Sequence, residues 1–170
     1  MEHLKKHIRK VPDFPHAGIS FRDITPLLIN PQARDEAVVA LAALAPTHID
    51  LVAAVEARGF LFGALVAQKL NAPLVLLRKP GKLPRPTFTA DYSLEYGSDS
   101  LQIHQDDLPP GARTLLVDDL LATGGTLAAA CQVIETAGAH IAQIACLIEL
   151  TDLNGRQKLA SRPFAALLQY

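Results

Sequence analysis

The chain has 170 residues, 49% of them apolar and 19% charged, with a formal net charge of −1. That length suits one domain able to bury a core, expected over 1–170. Near-neutral charge excludes the strongly basic face that non-specific nucleic-acid binding requires.

MEHLKKHIRK (1–10) reads as a short polar helix without the apolar stretch of a secretion signal. VPDFPHAGISFRDITPLL (11–28) is broken by Pro12, Pro15, Gly18 and Pro26 and reads as a structured loop. Pro31 suits the first turn of a helix over about 31–45. LVAAV (51–55) has strand length and is followed by EARG and a second helix, GFLFGALVAQKL (59–70). PLVLL (73–77) is another strand, and RKPGKLPRPT (78–87) a basic, Pro-rich loop. DYSLEYGSDSLQIHQ (91–105) alternates as two strands about a turn at Gly97–Ser98.

RTLLVDD (113–119) is an apolar strand ending in two carboxylates. A helix over 125–137 closes at Gly138, and HIAQIACLIEL (140–150) is a strand. A short helix near 156–160 and a strand, FAALLQY (164–170), complete the chain. Strand–loop–helix units whose strands are apolar on both faces predict an α/β fold with a mostly parallel sheet. Ligands then bind beyond the carboxyl ends of the strands, where EARG, RKPGKLP and DDLLATGGT should meet. Cys131 and Cys146 lack CxxC spacing and read as buried, reduced thiols, which suits a cytoplasmic protein. No stretch approaches eighteen apolar residues, so no membrane partner is expected.

The chemistry concentrates at LLVDDLLATGGTLAAA (115–130). Ala122, Thr123, Gly124, Gly125 and Thr126 precede a helix, so their backbone N–H groups and the helix dipole favour an anion. Neither GxxxxGK[ST] nor GxGxxG occurs. Asp118 and Asp119 would repel a phosphate but accept hydrogen bonds from vicinal hydroxyls. A ribose 5-phosphate satisfies both demands.

VDDLLATGGT resembles the signature of the type I phosphoribosyltransferases for phosphoribosyl diphosphate (PRPP). With PDFPHAGISFRDITPLL (12–28), ARGFLFG (57–63), RKPGKLP (78–84), YSLEYG (92–97) and ELTDLNGRQKLA (149–160), the chain is similar to the adenine-using branch of that family over nearly its whole length. The resemblance implies a parallel sheet flanked by helices, a flap hairpin and a small N-terminal hood. It also implies a homodimer that joins adenine to PRPP, giving AMP and diphosphate.

Residue by residue, it implies Asp118 and Asp119 on the ribose diol and 122–126 on the 5-phosphate. Ala57, Arg58, Arg78 and Lys82 would hold diphosphate, Arg78 in part across the dimer interface. Ser20, Phe21 and Arg22 would line the adenine pocket, and Glu95 would be the catalytic acid/base beside Tyr96 of the flap. A cis peptide is expected near Glu56–Ala57. The six histidines have no ligand spacing, and magnesium is expected to be held mainly by PRPP oxygens and water, with no direct protein ligand.

The chain departs from the pattern at Ala57, commonly serine; at Ser20, commonly valine; at Pro80, commonly basic; and at Arg85, commonly glycine and read as solvated. Open alternatives are a phosphoribosyltransferase for hypoxanthine, guanine, xanthine or orotate, a PRPP-sensing regulator, and a plain nucleotide-binding protein.

Overall fold

The computed structural model of the chain describes residues 1–93 and 98–170. A 3₁₀ turn, Glu2–His7, leads into β1 (Arg9–Pro12), which pairs antiparallel with β2 (Ser20–Asp23). The 11–28 segment is therefore not all loop, for it holds β2 and a one-turn helix, α1 (Thr25–Leu28). Pro15 and Pro26 fall outside the paired strands, and Pro12 stands at the end of β1, opposite Ser20.

α2 spans Pro31–Ala43, with Pro31 in its first turn and the Asn30 side chain accepting from the Ala33 N–H, which caps an otherwise unpaired donor. β3 (Leu51–Val55), α3 (Gly59–Leu70) and β4 (Leu74–Leu77) follow as the apolar runs predict. β5 (Thr87–Ser93) and β6 (Ser98–His104) form the hairpin, in register from Thr87↔His104 to Ser93↔Ser98. The first strand thus starts before Asp91, and Ser98 belongs to a strand rather than to the turn. β7 (Arg113–Leu121), α4 (Gly125–Thr136), β8 (His140–Glu149) and β9 (Phe164–Gln169) complete the elements. The expected helix near 156–160 is a 3₁₀ turn, Gly155–Leu159.

β4-β3-β7-β8-β9 form one sheet, every neighbouring pair parallel. α2, α3 and the N-terminal Leu4, Ile24 and Leu27 cover one face, to which β3 and β7 contribute Val52, Leu115 and Val117. α4 and the β5–β6 hairpin cover the other, where Leu101 and Ile103 meet Leu127, Cys131 and Ile134. Strands buried on both faces require this double coverage. It leaves the carboxyl ends of β3, β4 and β7, and the loops after them, at one edge of the molecule. Among the described residues no helix is long and apolar enough to cross a membrane.

Candidate active site

Three loops converge where the parallel strands end. After β7 the loop 122–126 turns into α4 through Gly124, at φ +80°, so the first N–H groups of a twelve-residue helix point out of the sheet edge. Asp118 and Asp119 lie just before it and are 8% and 5% exposed. Asp118 Oδ1 accepts the Asp119 N–H at 2.9 Å, and Asp119 Oδ2 lies 2.8 Å from Arg58 Nη2. Burial and the neighbouring charge of Asp119 push the Asp118 carboxyl well above its ordinary range; burial raises Asp119 too, against the pull of Arg58.

Arg58, at the start of α3, bridges two parts of the site. Its guanidinium reaches Asp119, donates to the Arg22 carbonyl at 3.4 Å and stands 4.8 Å from the Phe21 ring centroid. The peptide Glu56–Ala57 before it is cis, as the resemblance implied. Arg78, at the end of β4, is held on Glu56 through Nε at 3.1 Å and Nη2 at 3.3 Å, and it donates to the Lys82 carbonyl at 3.1 Å. The Lys79 N–H adds a further bond to Glu56 at 3.1 Å. Burial opposes ionisation of Glu56, yet its bonds to Arg78 and Lys79 leave the carboxyl below its ordinary range. Lys82 itself is exposed.

β2 faces both ways. Ser20 and Arg22 line a cavity of about 790 Å³ shared with Ile19, Thr123, Leu150 and Tyr170. Phe21, between them on the strand, points to the other side, edge-on to Phe14 with centroids 5.1 Å apart. The stacking wall expected at Phe21 therefore adjoins Arg58 rather than this cavity.

The flap hairpin is tied to both neighbouring loops. The Lys79 ammonium pairs with Asp99, and the Tyr92 hydroxyl donates to Asp99 Oδ2 at 3.2 Å. Burial raises the Tyr92 phenol, while the Thr126 hydroxyl beside it pulls the other way. Glu95 and Tyr96 lie outside the described residues. Arg85 is exposed, as expected, and forms surface ion pairs with Asp106 and Asp107 and a contact to His104 at the base of the hairpin.

The structure thus brings together Arg58, Asp118, Asp119, the 122–126 loop and β2. Sequence reasoning gave no role to Glu56, Asp99, Leu150 or Tyr170. Glu56 carried a signal, a lone carboxylate closing an apolar strand, whereas Leu150 and Tyr170 reach the cavity only through the pairing of β8 with β9.

The buried carboxylates carry a prediction. A carboxyl raised in the folded state binds more protons folded than unfolded, so stability falls as pH rises from the ordinary carboxylate range through the raised value. Asp118→Asn removes that cost at neutral pH and keeps an oxygen for the Asp119 N–H. Calorimetry should show Tm a few degrees higher, the scale of about 1 kcal/mol in a chain of this size. On the ribose-diol role that the resemblance implies, PRPP binding should weaken about ten- to a hundred-fold, since a charge-assisted bond to a hydroxyl contributes ~1.5–3 kcal/mol. Asp119→Asn should lose PRPP affinity without the gain in Tm, because it also breaks the pair with Arg58. An Asp118→Asn protein that melts lower and binds PRPP normally would contradict both halves.

Comparison with known proteins agrees with this geometry. Residues 32–163 match the phosphoribosyl transferase domain family. An adenine phosphoribosyltransferase of Roseiflexus castenholzii is 55% identical over 164 residues, 96% of this chain and 95% of that protein. The crystal structure of adenine phosphoribosyltransferase from Thermoanaerobacter pseudethanolicus superposes with a TM-score of 0.97 at 47% identity, covering 99% of both chains. The Saccharomyces cerevisiae enzyme, complexed with an imino-altritol bisphosphate and adenine, superposes at 0.93 with 37% identity, covering 98% of this chain and 97% of that one. The chain belongs to the adenine phosphoribosyltransferase family.

Proposed function

We propose that the residues gathered at this edge carry out the family's reaction, transfer of the 5-phosphoribosyl group from PRPP to adenine, giving AMP and diphosphate in purine salvage. One observation carries the assignment of roles. The paired carboxylates that suit a ribose diol lie directly before a loop suited to an anion, and one of them is bound to Arg58 at the end of the neighbouring loop. The 5-phosphate, ribose and diphosphate thereby have adjoining subsites in the order in which PRPP joins them.

Asp118 and Asp119 accept from the 2′- and 3′-hydroxyls, and Ala122, Thr123, Gly124, Gly125 and Thr126 bind the 5-phosphate. Arg58, the backbone at Ala57, Arg78 and Lys82 receive diphosphate. As the C1–oxygen bond breaks, positive charge develops on the ribose ring and negative charge on the leaving group. Carboxylates below the ring and cations beside diphosphate oppose both changes. Adenine N9 bonds to C1, and the Glu95 carboxylate takes the N9 proton, with Tyr96 helping to close the site. Magnesium fits this donor set as an ion carried mainly by PRPP oxygens and water, since Asp119 is already paired with Arg58. When bound it neutralises charge on the departing diphosphate.

Selectivity for the base is assigned to β2. Its sheet has two strands, so one edge is open, and the Arg22 carbonyl already faces Arg58. Period-two geometry puts the backbone groups of Ser20 on the same edge. A carbonyl and an N–H there match the N6 donor and N1 acceptor of adenine, and they mismatch 6-oxopurines, which such buried pairing rejects strongly. With PRPP and each base in turn, diphosphate release should occur with adenine and not with hypoxanthine, guanine, xanthine or orotate. Phe21→Ala should weaken adenine binding without relaxing that preference. Release with hypoxanthine or guanine would remove this pocket from the reading.

The active species is proposed to be a cytoplasmic homodimer in which Arg78 also serves the neighbouring site. Sedimentation at micromolar concentration should give a dimer, and a fully active monomer would refute the shared arginine.

A further inference from the structure

The segment ELTDLNGRQ (149–157) has no part in the reaction just described, yet it lies directly behind the 5-phosphate loop. The Leu150 N–H donates to the Leu121 carbonyl at 2.9 Å, and Asn154, at φ +54°, turns the chain back toward the loop. There two glycines meet. A Cβ on Gly124 would lie 2.3 Å from the Gly155 oxygen, and a Cβ on Gly155 would lie 2.2 Å from the Ala122 oxygen. Neither position has room for a side chain, so the phosphate loop rests backbone to backbone on the 154–156 turn.

Arg156 locks that turn. Its Nε and Nη2 grip both oxygens of Glu149, the latter at 2.7 Å, and the guanidinium lies 4.6 Å from the Phe164 ring centroid. Gln169 of β9 donates to the same carboxylate at 3.0 Å. Glu149 is 4% exposed and pairs in register with Leu121, the residue just before the loop. A buried carboxylate with three donors on it is a fixed anchor rather than a solvated charge.

We propose that Arg156 is a positioning residue for the 5-phosphate subsite: by fixing the 154–156 turn on Glu149, it holds the 122–126 loop in the conformation that binds the phosphate of PRPP. This rests on the reading of 122–126 as the phosphate loop. Small displacements of binding groups cost large factors in affinity and rate, so the effect should be confined to ligands that carry the 5-phosphate.

Equilibrium binding of ribose 5-phosphate and of diphosphate, each alone, tests it. Arg156→Gln should weaken ribose 5-phosphate about ten-fold and raise the KM for PRPP equally, leaving diphosphate binding and the KM for adenine unchanged. Arg156→Lys should recover part of the loss. Should Arg156→Gln fold poorly, Glu149→Gln, which keeps an oxygen for Arg156, should give the same split between ligands. Equal weakening of both ligands, or unchanged ribose 5-phosphate binding with only a lower Tm, would overturn the proposal. Thr126→Ala is the control: if it too leaves ribose 5-phosphate binding intact, the phosphate-loop reading fails; if it weakens binding while Arg156→Gln does not, the role of Arg156 alone fails.

Discussion

Glu95→Gln should lower kcat by about 10²–10⁴-fold, the usual contribution of a positioned acid/base, with little change in the dissociation constant for PRPP. The proton on adenine N9 has to leave as the bond to C1 forms, and an amide cannot accept it. On the proposed roles, PRPP is already bound by then through the diol, phosphate and diphosphate contacts. The strands on either side of this residue are fixed to the site: Tyr92 of β5 lies beside Thr126, and Asp99 of β6 is paired with Lys79. Steady-state rates together with equilibrium PRPP binding check the expectation. Equal losses in both would reassign Glu95 to closing the flap.

Gly59→Ala should reduce PRPP affinity by about a hundred-fold or more, the loss expected when a charged hydrogen bond and its partner are both displaced. A Cβ at Gly59 would lie 2.6 Å from Asp118 Oδ1 and 3.2 Å from both the Asp118 Cα and the Val117 oxygen. Two of those three atoms are backbone, so relief requires either rotation of the carboxylate away from the diol position or withdrawal of α3. The second would carry Arg58 off Asp119. Calorimetric titration with PRPP, with circular dichroism to confirm the fold, measures the effect. Normal PRPP affinity in a folded Gly59→Ala protein would show that Asp118 has no part in holding the ribose.

The elements that carry their own signal were legible in the sequence. LVAAV occupies β3 residue for residue because burial on both faces demands a continuous apolar run, and GFLFGALVAQKL occupies α3 because its helical spacing buries one face, at Phe62, Val66 and Ala67. The glycine loop and acidic pair were legible for a similar reason: neighbouring residues carry the whole pattern. β2 was not, since its four residues are all half-buried and are held by pairing with β1 and by Arg58. Arg85 is solvated as expected, but its ion pairs were hidden, because Asp106 and Asp107 lie some twenty residues on and meet it only when the hairpin folds back. The bonds of Arg78 and Lys79 to Glu56 were hidden likewise, being set by the parallel register of β3 and β4.

Both cysteines lie inside the layer between the sheet and α4: Cys131 on the helix, its thiol pushed up to about 12 by burial, and Cys146 on β8, its thiol likewise raised by burial and by nearby carboxylates. Thiolate is the reactive form, so neither should take up maleimide or form a disulfide while the chain is folded. The native protein is therefore a clean background for spectroscopic labelling. One cysteine introduced at Gln105, at the foot of the hairpin, would carry a lone fluorophore whose signal reports hairpin movement as ligands bind, without first removing the natural thiols.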